Sequence, residues 1–186
     1  MNSNQEYVVL VDKQNNVLGT SPKLAAHNAN TPLHRGFSVF LFNSDGELLL
    51  QQRSRKKKTW PLVWSNSVCG HPKLNESSIN AAKRRAIFEL GIELGELHEI
   101  LPNFSYRVEK DEIVENEICP VLVGFTNQKP VINKDEIEDT KWIEWKTFVE
   151  DINKNPNKYS PWSVLEVQEL LENRHFQSML LHSSVL

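Results

Sequence analysis

Residues 70–92 read GHPKLNESSINAAKRRAIFELGI, from Gly70 to Ile92, and the spacing within them decides how the chain is organised. Ile79, Ala82, Ala86, Ile87 and Leu90 recur at helical intervals, serines stand in front as N-cap candidates, and Gly91 falls where a C-cap belongs. A helix over Ser77 to Leu90 is expected. On either side the pattern changes to that of strands. Tyr7 to Val11, Phe37 to Phe42 and Glu47 to Gln52 precede the helix, the last two joined by the turn Asn43-Ser44-Asp45-Gly46. Ser105 to Val108, Glu117 to Phe125 and Lys141 to Trp145 follow it and are rich in Val, Ile and aromatics. A short helix near Phe148 and another from about Trp162 to Asn173 come last. The order predicts an α+β fold, a mixed and curved β-sheet flanked by helices in α/β/α layers, as one domain over residues 1–186.

Composition narrows the function. The 186 residues carry 21 basic and 24 acidic side chains, a formal net charge of -3. A chain of this balance does not grip nucleic acid or anionic membrane by bulk positive charge, so neither is an expected partner, and any phosphate must be recognised locally. At this length one core buries roughly 70% of the unfolded surface, so no metal or disulfide is needed for folding alone. Cys69 and Cys119 lack CxxC spacing and suit a reducing compartment, which predicts a cytoplasmic protein. Met1 to Glu6 is polar, so a secretory leader is not expected, and no stretch reaches the roughly 20 apolar residues of a membrane span.

The stretch from Gly70 resembles the Nudix box, G-x5-E-x7-R-E-U-x-E-E-x-G-U with U apolar, a loop, helix and turn that handle diphosphates. Gly70, Glu76, Arg84, Ala86, Glu89, Gly91 and Ile92 match it. Arg85 and Phe88 stand where the box has glutamates. Those acids help hold the magnesium with which hydrolytic members activate water, so their loss implies diphosphate and divalent metal but a different reaction. Just upstream, Trp60-Pro61-Leu62-Val63-Trp64-Ser65-Asn66-Ser67-Val68-Cys69-Gly70-His71-Pro72 resembles a signature of the type 1 isopentenyl diphosphate isomerase family. Ile113-Val114-Glu115-Asn116-Glu117-Ile118-Cys119-Pro120-Val121 resembles a second one. Ala25-Ala26-His27, Leu33-His34 and Ser160-Pro161-Trp162 extend the similarity over nearly the whole chain.

The residues also have a reading of their own. Glu115 and Glu117 are two apart, so a strand puts both carboxylates on one face, where burial demands a cation. His27, His34 and His71 come from separate segments, and imidazole with carboxylate suits a borderline divalent ion. Any one of these histidines alone is better explained by a surface or core role than as a ligand. Cys69 reads as a nucleophile or as a small buried hydrophobe, and Cys119, beyond Glu117, as core filling. Arg53, Arg55, Lys56, Lys57 and Lys58 form a basic run that on composition is a solvated face.

The resemblance implies more. It implies an isomerase that interconverts isopentenyl diphosphate and dimethylallyl diphosphate in isoprenoid biosynthesis, on a Nudix-like fold. It places His27, His34, His71, Glu115 and Glu117 at the ligands of one Mn²⁺, Mg²⁺ or Zn²⁺, and Glu89 beside a Mg²⁺ on the diphosphate. It gives Cys69 and Glu117 the acid/base work, with Tyr106 hydrogen-bonded to Glu117 and Trp162 facing a carbocation. Lys23, Arg53, Lys57 and Arg85 become phosphate contacts, with Lys56 and Lys58 left as surface charges. No flavin is implied. The expected partner is a small-molecule diphosphate, the expected state a monomer or weak homodimer, and residues 1–35 are a candidate lid because they carry two of the ligands. A hydrolase of nucleoside diphosphates and a degenerate binding domain are the competing readings.

Overall fold

A computed structural model describes residues 5–183. In chain order the elements are β1 (Tyr7–Val11), β2 (Val17–Pro22), α1 (Lys23–Ala26), β3 (His34–Arg35), β4 (Phe37–Phe42), β5 (Glu47–Arg53), β6 (Trp64–Ser65), β7 (Val68–Gly70) and α2 (Ser78–Leu90). There follow β8 (Leu97–Leu101), β9 (Ser105–Lys110), β10 (Ile113–Ile118), β11 (Val121–Phe125), β12 (Ile137–Glu144), α3 (Trp145–Lys154), α4 (Pro161–Glu172) and α5 (Arg174–Ser183).

The strands form two mixed sheets. One has the order β2-β1-β3-β10-β9; the other runs β12-β5-β4-β11-β8, with β6 added to β5 and β7 to β4. In β4 all six residues are buried, and period-two geometry divides them between two cores. Phe37, Val39 and Leu41 pack with Leu49, Leu122 and the Ala81, Ala82, Ala86 and Leu90 stripe of α2. Phe40 and Phe42 face the other way, onto Phe148 and Ile152 of α3, Val167 and Leu170 of α4, and Phe176 of α5. Helices therefore cover both faces of the larger sheet, which is the expected α/β/α layering.

The helix from the opening stretch forms as its sequence predicts. Ser77 Oγ accepts the Asn80 N–H at 3.2 Å, and Gly91 ends the helix at φ 66°, a left-handed conformation suited to glycine. Its buried stripe differs from the apolar pattern, however. Arg85 and Glu89 lie inside it, while Ile87 is 53% exposed.

A single strand over Glu117 to Phe125 is also corrected. The chain breaks at Cys119-Pro120 into β10 and β11, which belong to different sheets, because proline has no ladder N–H and restricts the residue before it. Cys119 is buried as expected but lies off the strand. Trp145 begins α3 rather than ending β12. Pairing makes this break positional. β3 runs parallel to β10, with His34 opposite Glu117, and β4 runs parallel to β11, with Ser38 opposite Val121. Two neighbouring segments thus cross from one sheet to the other side by side, at Gly36 and at Cys119-Pro120, joined by Gly36 N–H to Ile118 C=O (2.9 Å) and Ser38 N–H to Pro120 C=O (3.0 Å). The candidate site lies at this crossing.

Candidate active site

Three histidines and two glutamates meet on the smaller sheet. His27 caps α1, His34 lies on β3, His71 follows β7, and Glu115 and Glu117 point from one face of β10. One ligand atom from each lies within 4.8 Å of all the others. His27 Nδ1 is 2.7 Å from the Lys23 carbonyl and His34 Nδ1 2.9 Å from that of Pro32. A carbonyl only accepts, so each Nδ1 carries the proton and each Nε2 turns a lone pair inward. There His27 Nε2 is 2.9 Å from Glu115, and His71 Nε2 is 3.0 Å from Glu117. His34 Nε2 is buried without a hydrogen-bond partner, 3.5 Å from Glu117 Oε1. Lone pairs aimed at carboxylates repel unless positive charge lies between them, so the donor set fits a divalent cation.

The protonation preferences of His71 and Glu117 agree with that fit, while His27, bonded to Glu115, leans toward the protonated ring. Burial pushes His71 down to about 4 against the pull of Glu117. Burial pushes Glu117 up, but His34 and His71 outweigh it and hold the carboxylate well below its usual range. Burial would likewise lower His27, yet its bond to Glu115 leaves it raised. Neutral imidazole beside ionised carboxylate is the state in which both bind metal.

Cys69 belongs to the other sheet. It sits opposite Ser38 in the β4–β7 register, with Sγ 3.6 Å from Ser38 Oγ and 2.9 Å from Asn66 Oδ1. The residue is partly accessible, but burial of the thiol pushes its pKa up to about 12. It is a thiol at neutral pH, which disfavours the thiolate nucleophile. Tyr106 is opposite Glu117 in the β9–β10 register. Among the described residues the expected Tyr106 to Glu117 hydrogen bond is not formed; the tyrosine ring instead lies 6.1 Å from that of Trp162. Trp162, one residue into α4, donates Nε1–H to Ser65 Oγ at 3.2 Å and meets Trp60 edge to face at 5.4 Å. Arg53 lies over the Trp162 ring, 5.2 Å from its centroid, and donates to the Thr59 and Trp60 carbonyls.

The remaining cations are joined by acids the sequence reading did not single out. Arg85, on α2, binds Glu89, Glu6 at 2.9 Å and Glu136 at 2.9 Å. Lys57 pairs with Glu136, and Lys23 with Glu6 at 2.7 Å. Three of the four expected phosphate contacts and the expected magnesium ligand Glu89 thus form one network, closed by Glu6 and Glu136. Burial acts to raise Glu6, but Lys23 and Arg85 bring it down to about 2. Lys57 is lowered by burial despite Glu136 and Glu89. A signal for Glu136 does exist: the acidic 134–138 segment complements the basic run, for Arg55 and Lys56 pair with Glu138 and Asp135. Trp60, in the aromatic wall, was likewise not singled out.

A family described as NUDIX domain matches residues 32–163, most of the chain. Among solved structures, the DR0079 protein of Deinococcus radiodurans superposes with a TM-score of 0.64 at 22% identity, covering 81% of this chain and 90% of its own. The MutT protein of Methanosarcina mazei Go1 gives 0.53 at 20% identity over 64% and 82%. The fold and the loop and helix from Gly70 to Ile92 are those of the Nudix class. Two curated relatives, each named isopentenyl-diphosphate Delta-isomerase, from Salmonella paratyphi B and Salmonella typhi, are 45% identical over 89% of this chain and 92% of their own lengths. The chain belongs to the isopentenyl-diphosphate Delta-isomerase family.

Proposed function

We infer that the chain interconverts isopentenyl diphosphate and dimethylallyl diphosphate. The observation that carries this reading is the 45% identity over 89% of the chain to isomerases of that name. Arg85 supplies a physical reason why hydrolysis is not the outcome: a guanidinium replaces a box acid and is held by Glu6, Glu89 and Glu136. A water-activating metal centre at that position would lose a carboxylate and gain a positive charge.

Isomerisation needs a proton added to the terminal alkene carbon, a tertiary cation, and loss of a proton from the carbon on the far side of the cationic centre. Atoms and charge balance, since one proton enters and one leaves. We assign the two transfers to Cys69 and Glu117. A thiol kept protonated by burial has a proton to give, and an ionised carboxylate can take one. The faces of Trp162 and Tyr106 supply a negative π surface for the cation and exclude water, an interaction worth up to about 2 kcal/mol when desolvated. A divalent ion, Mg²⁺, Mn²⁺ or Zn²⁺, held by His27, His34, His71, Glu115 and Glu117 would fix the Glu117 carboxylate, and Mg²⁺ near Glu89 would neutralise diphosphate oxygens. Lys23, Arg53, Lys57 and Arg85 are the proposed phosphate contacts. Glu6 and Glu136 hold three of these cations in place before substrate arrives, so phosphate oxygens exchange for carboxylates rather than for water alone. We further read the chain as one cytoplasmic domain, monomeric or weakly dimeric, in which residues 1–35, the first four of them outside the described residues, are a lid over the substrate. No helix among the described residues is long and apolar enough to cross a membrane.

The test is incubation of the purified protein with isopentenyl diphosphate and Mg²⁺ or Mn²⁺, followed by proton and phosphorus NMR. Dimethylallyl diphosphate without free phosphate is expected, and Cys69→Ala and Glu117→Gln should each lose at least about a hundredfold in kcat. Phosphate release in place of isomer would overturn the reading in favour of a hydrolase.

A further inference from the structure

One turn beyond Trp162, on the same face of α4, lies Glu166. It is fully buried, and neither carboxyl oxygen has a hydrogen-bond partner among the described residues. The other buried glutamates differ in having a basic neighbour at short range: Glu89 has Arg85, Glu115 has His27, and Glu117 has His71 at 3.0 Å. The titratable groups that act on Glu166 are Glu117 from β10, Glu169 from its own helix, Cys69, Cys119 and Tyr106, and none is a cation. A carboxylate without counter-charge or hydrogen bond is strongly disfavoured in such a place, so the group is a neutral carboxylic acid with an O–H to donate. Burial raising its pKa to about 8 agrees with this.

Ser38 is the polar group that acts on it, although no hydrogen bond joins the two, and the Ser38 hydroxyl lies 3.6 Å from both Cys69 Sγ and Cys119 Sγ. On its other side the Cys69 thiol has only an oversubscribed partner. Asn66 Oδ1 is approached by Cys69 Sγ at 2.9 Å, Ser65 Oγ at 2.9 Å and Ser163 Oγ at 3.0 Å. An amide oxygen has two lone pairs, and hydroxyls outcompete a thiol for them. The sulfur therefore needs a second support.

We propose that Glu166 is a positioning residue that donates its carboxyl proton to Ser38 and thereby aims the Ser38 hydroxyl at the Cys69 sulfur. With the serine oxygen satisfied by Glu166, its own hydrogen is directed at Sγ, and the thiol proton turns toward the substrate. The assignment rests on Cys69 acting in proton transfer.

Three variants of the full chain test it: Glu166→Leu, which keeps the size and removes the donor, Glu166→Gln, which keeps a donor, and Cys69→Ala. The expected result is kcat lowered about tenfold in Glu166→Leu with KM within about twofold, recovery to within about threefold in Glu166→Gln, and an inactive Cys69→Ala. Infrared difference spectra at neutral pH should contain the carbonyl band of a protonated carboxyl that Glu166→Gln removes. Wild-type kcat in Glu166→Leu, equal losses in the two Glu166 variants, or absence of that band would each overturn the proposal. If Cys69→Ala retains turnover, the reading of the active site fails instead, before Glu166 is reached.

Discussion

Gly36 makes room for the cluster of three histidines and two glutamates. A side-chain carbon there would lie 1.9 Å from Glu117 Oε2 and 2.7 Å from its carboxyl carbon, so only glycine lets β3 pass this close to the carboxylate that His34 and His71 address. Gly36→Ala should displace Glu117, weaken metal affinity about tenfold to a hundredfold and lower activity in parallel. Metal titration followed calorimetrically checks it, and unchanged affinity would show that Glu117 has another way to reach the ion. At this scale the sequence was unevenly legible. The two-residue spacing of Glu115 and Glu117 announced a shared face, whereas nothing in the spacing of His27, His34 and His71 required them to meet; the resemblance singled them out. Glu6 and Glu136 escaped notice because they work by pairing with Arg85, 79 and 51 positions away, a relation only the fold creates. Glu166 looked like any polar residue of an amphipathic helix.

Among the elements, α2 concentrates the most charge in the least space. Arg85 is 5% exposed and Glu89 4%, inside the stripe that faces β4 and β7. Arg85→Ala would leave Glu89 buried without its partner and leave Glu6 and Glu136 only Lys23 and Lys57, so a loss of about 3–5 kcal/mol is expected in denaturant unfolding. Arg85→Lys should recover little, since an ammonium cannot reproduce the forked bonds to Glu89. The ends of this helix could be read from Ser77 and Gly91 because capping is local chemistry. Its inward face could not, since periodicity counts Ile87 as core and arginine as surface, and the structure reverses both. Similarly, β2, β8 and α5 went unread. β2 is largely exposed or half-buried, with little apolar alternation to mark it, and α5 follows α4 with only Asn173 between them. The break at Pro120 carried a clear local signal that the apolar run on either side of it masked.

Over the whole molecule, the network of Glu6, Glu136 and Glu89 with Lys23, Lys57 and Arg85 ties the N-terminal strands to α2 and to the approach to β12. Glu6 and Glu136 are both held below their ordinary value of 4.5, Glu6 at about 2. Over that interval the unfolded chain binds protons that the folded one refuses, so this stabilisation is complete above pH 4.5 and is lost as the pH falls toward 2. Melting temperature should drop through that window, and a Glu6→Gln variant should show a shallower decline; identical slopes would remove Glu6 from the account. The layered architecture was legible at this scale because α2 and the strands around it are strongly patterned. The division into two sheets was not, since it depends on which strands pair. That division has a consequence for reach. Glu117 stands on one sheet and Cys69 on the other, so on the proposed assignment the gap a five-carbon chain must bridge is that of a caliper whose jaws are the two sheets. Its pivot is the double crossing at Gly36 and Cys119-Pro120, and on the proposed assignment that crossing, whose residues take no part in either proton transfer, sets how far apart the two groups stand.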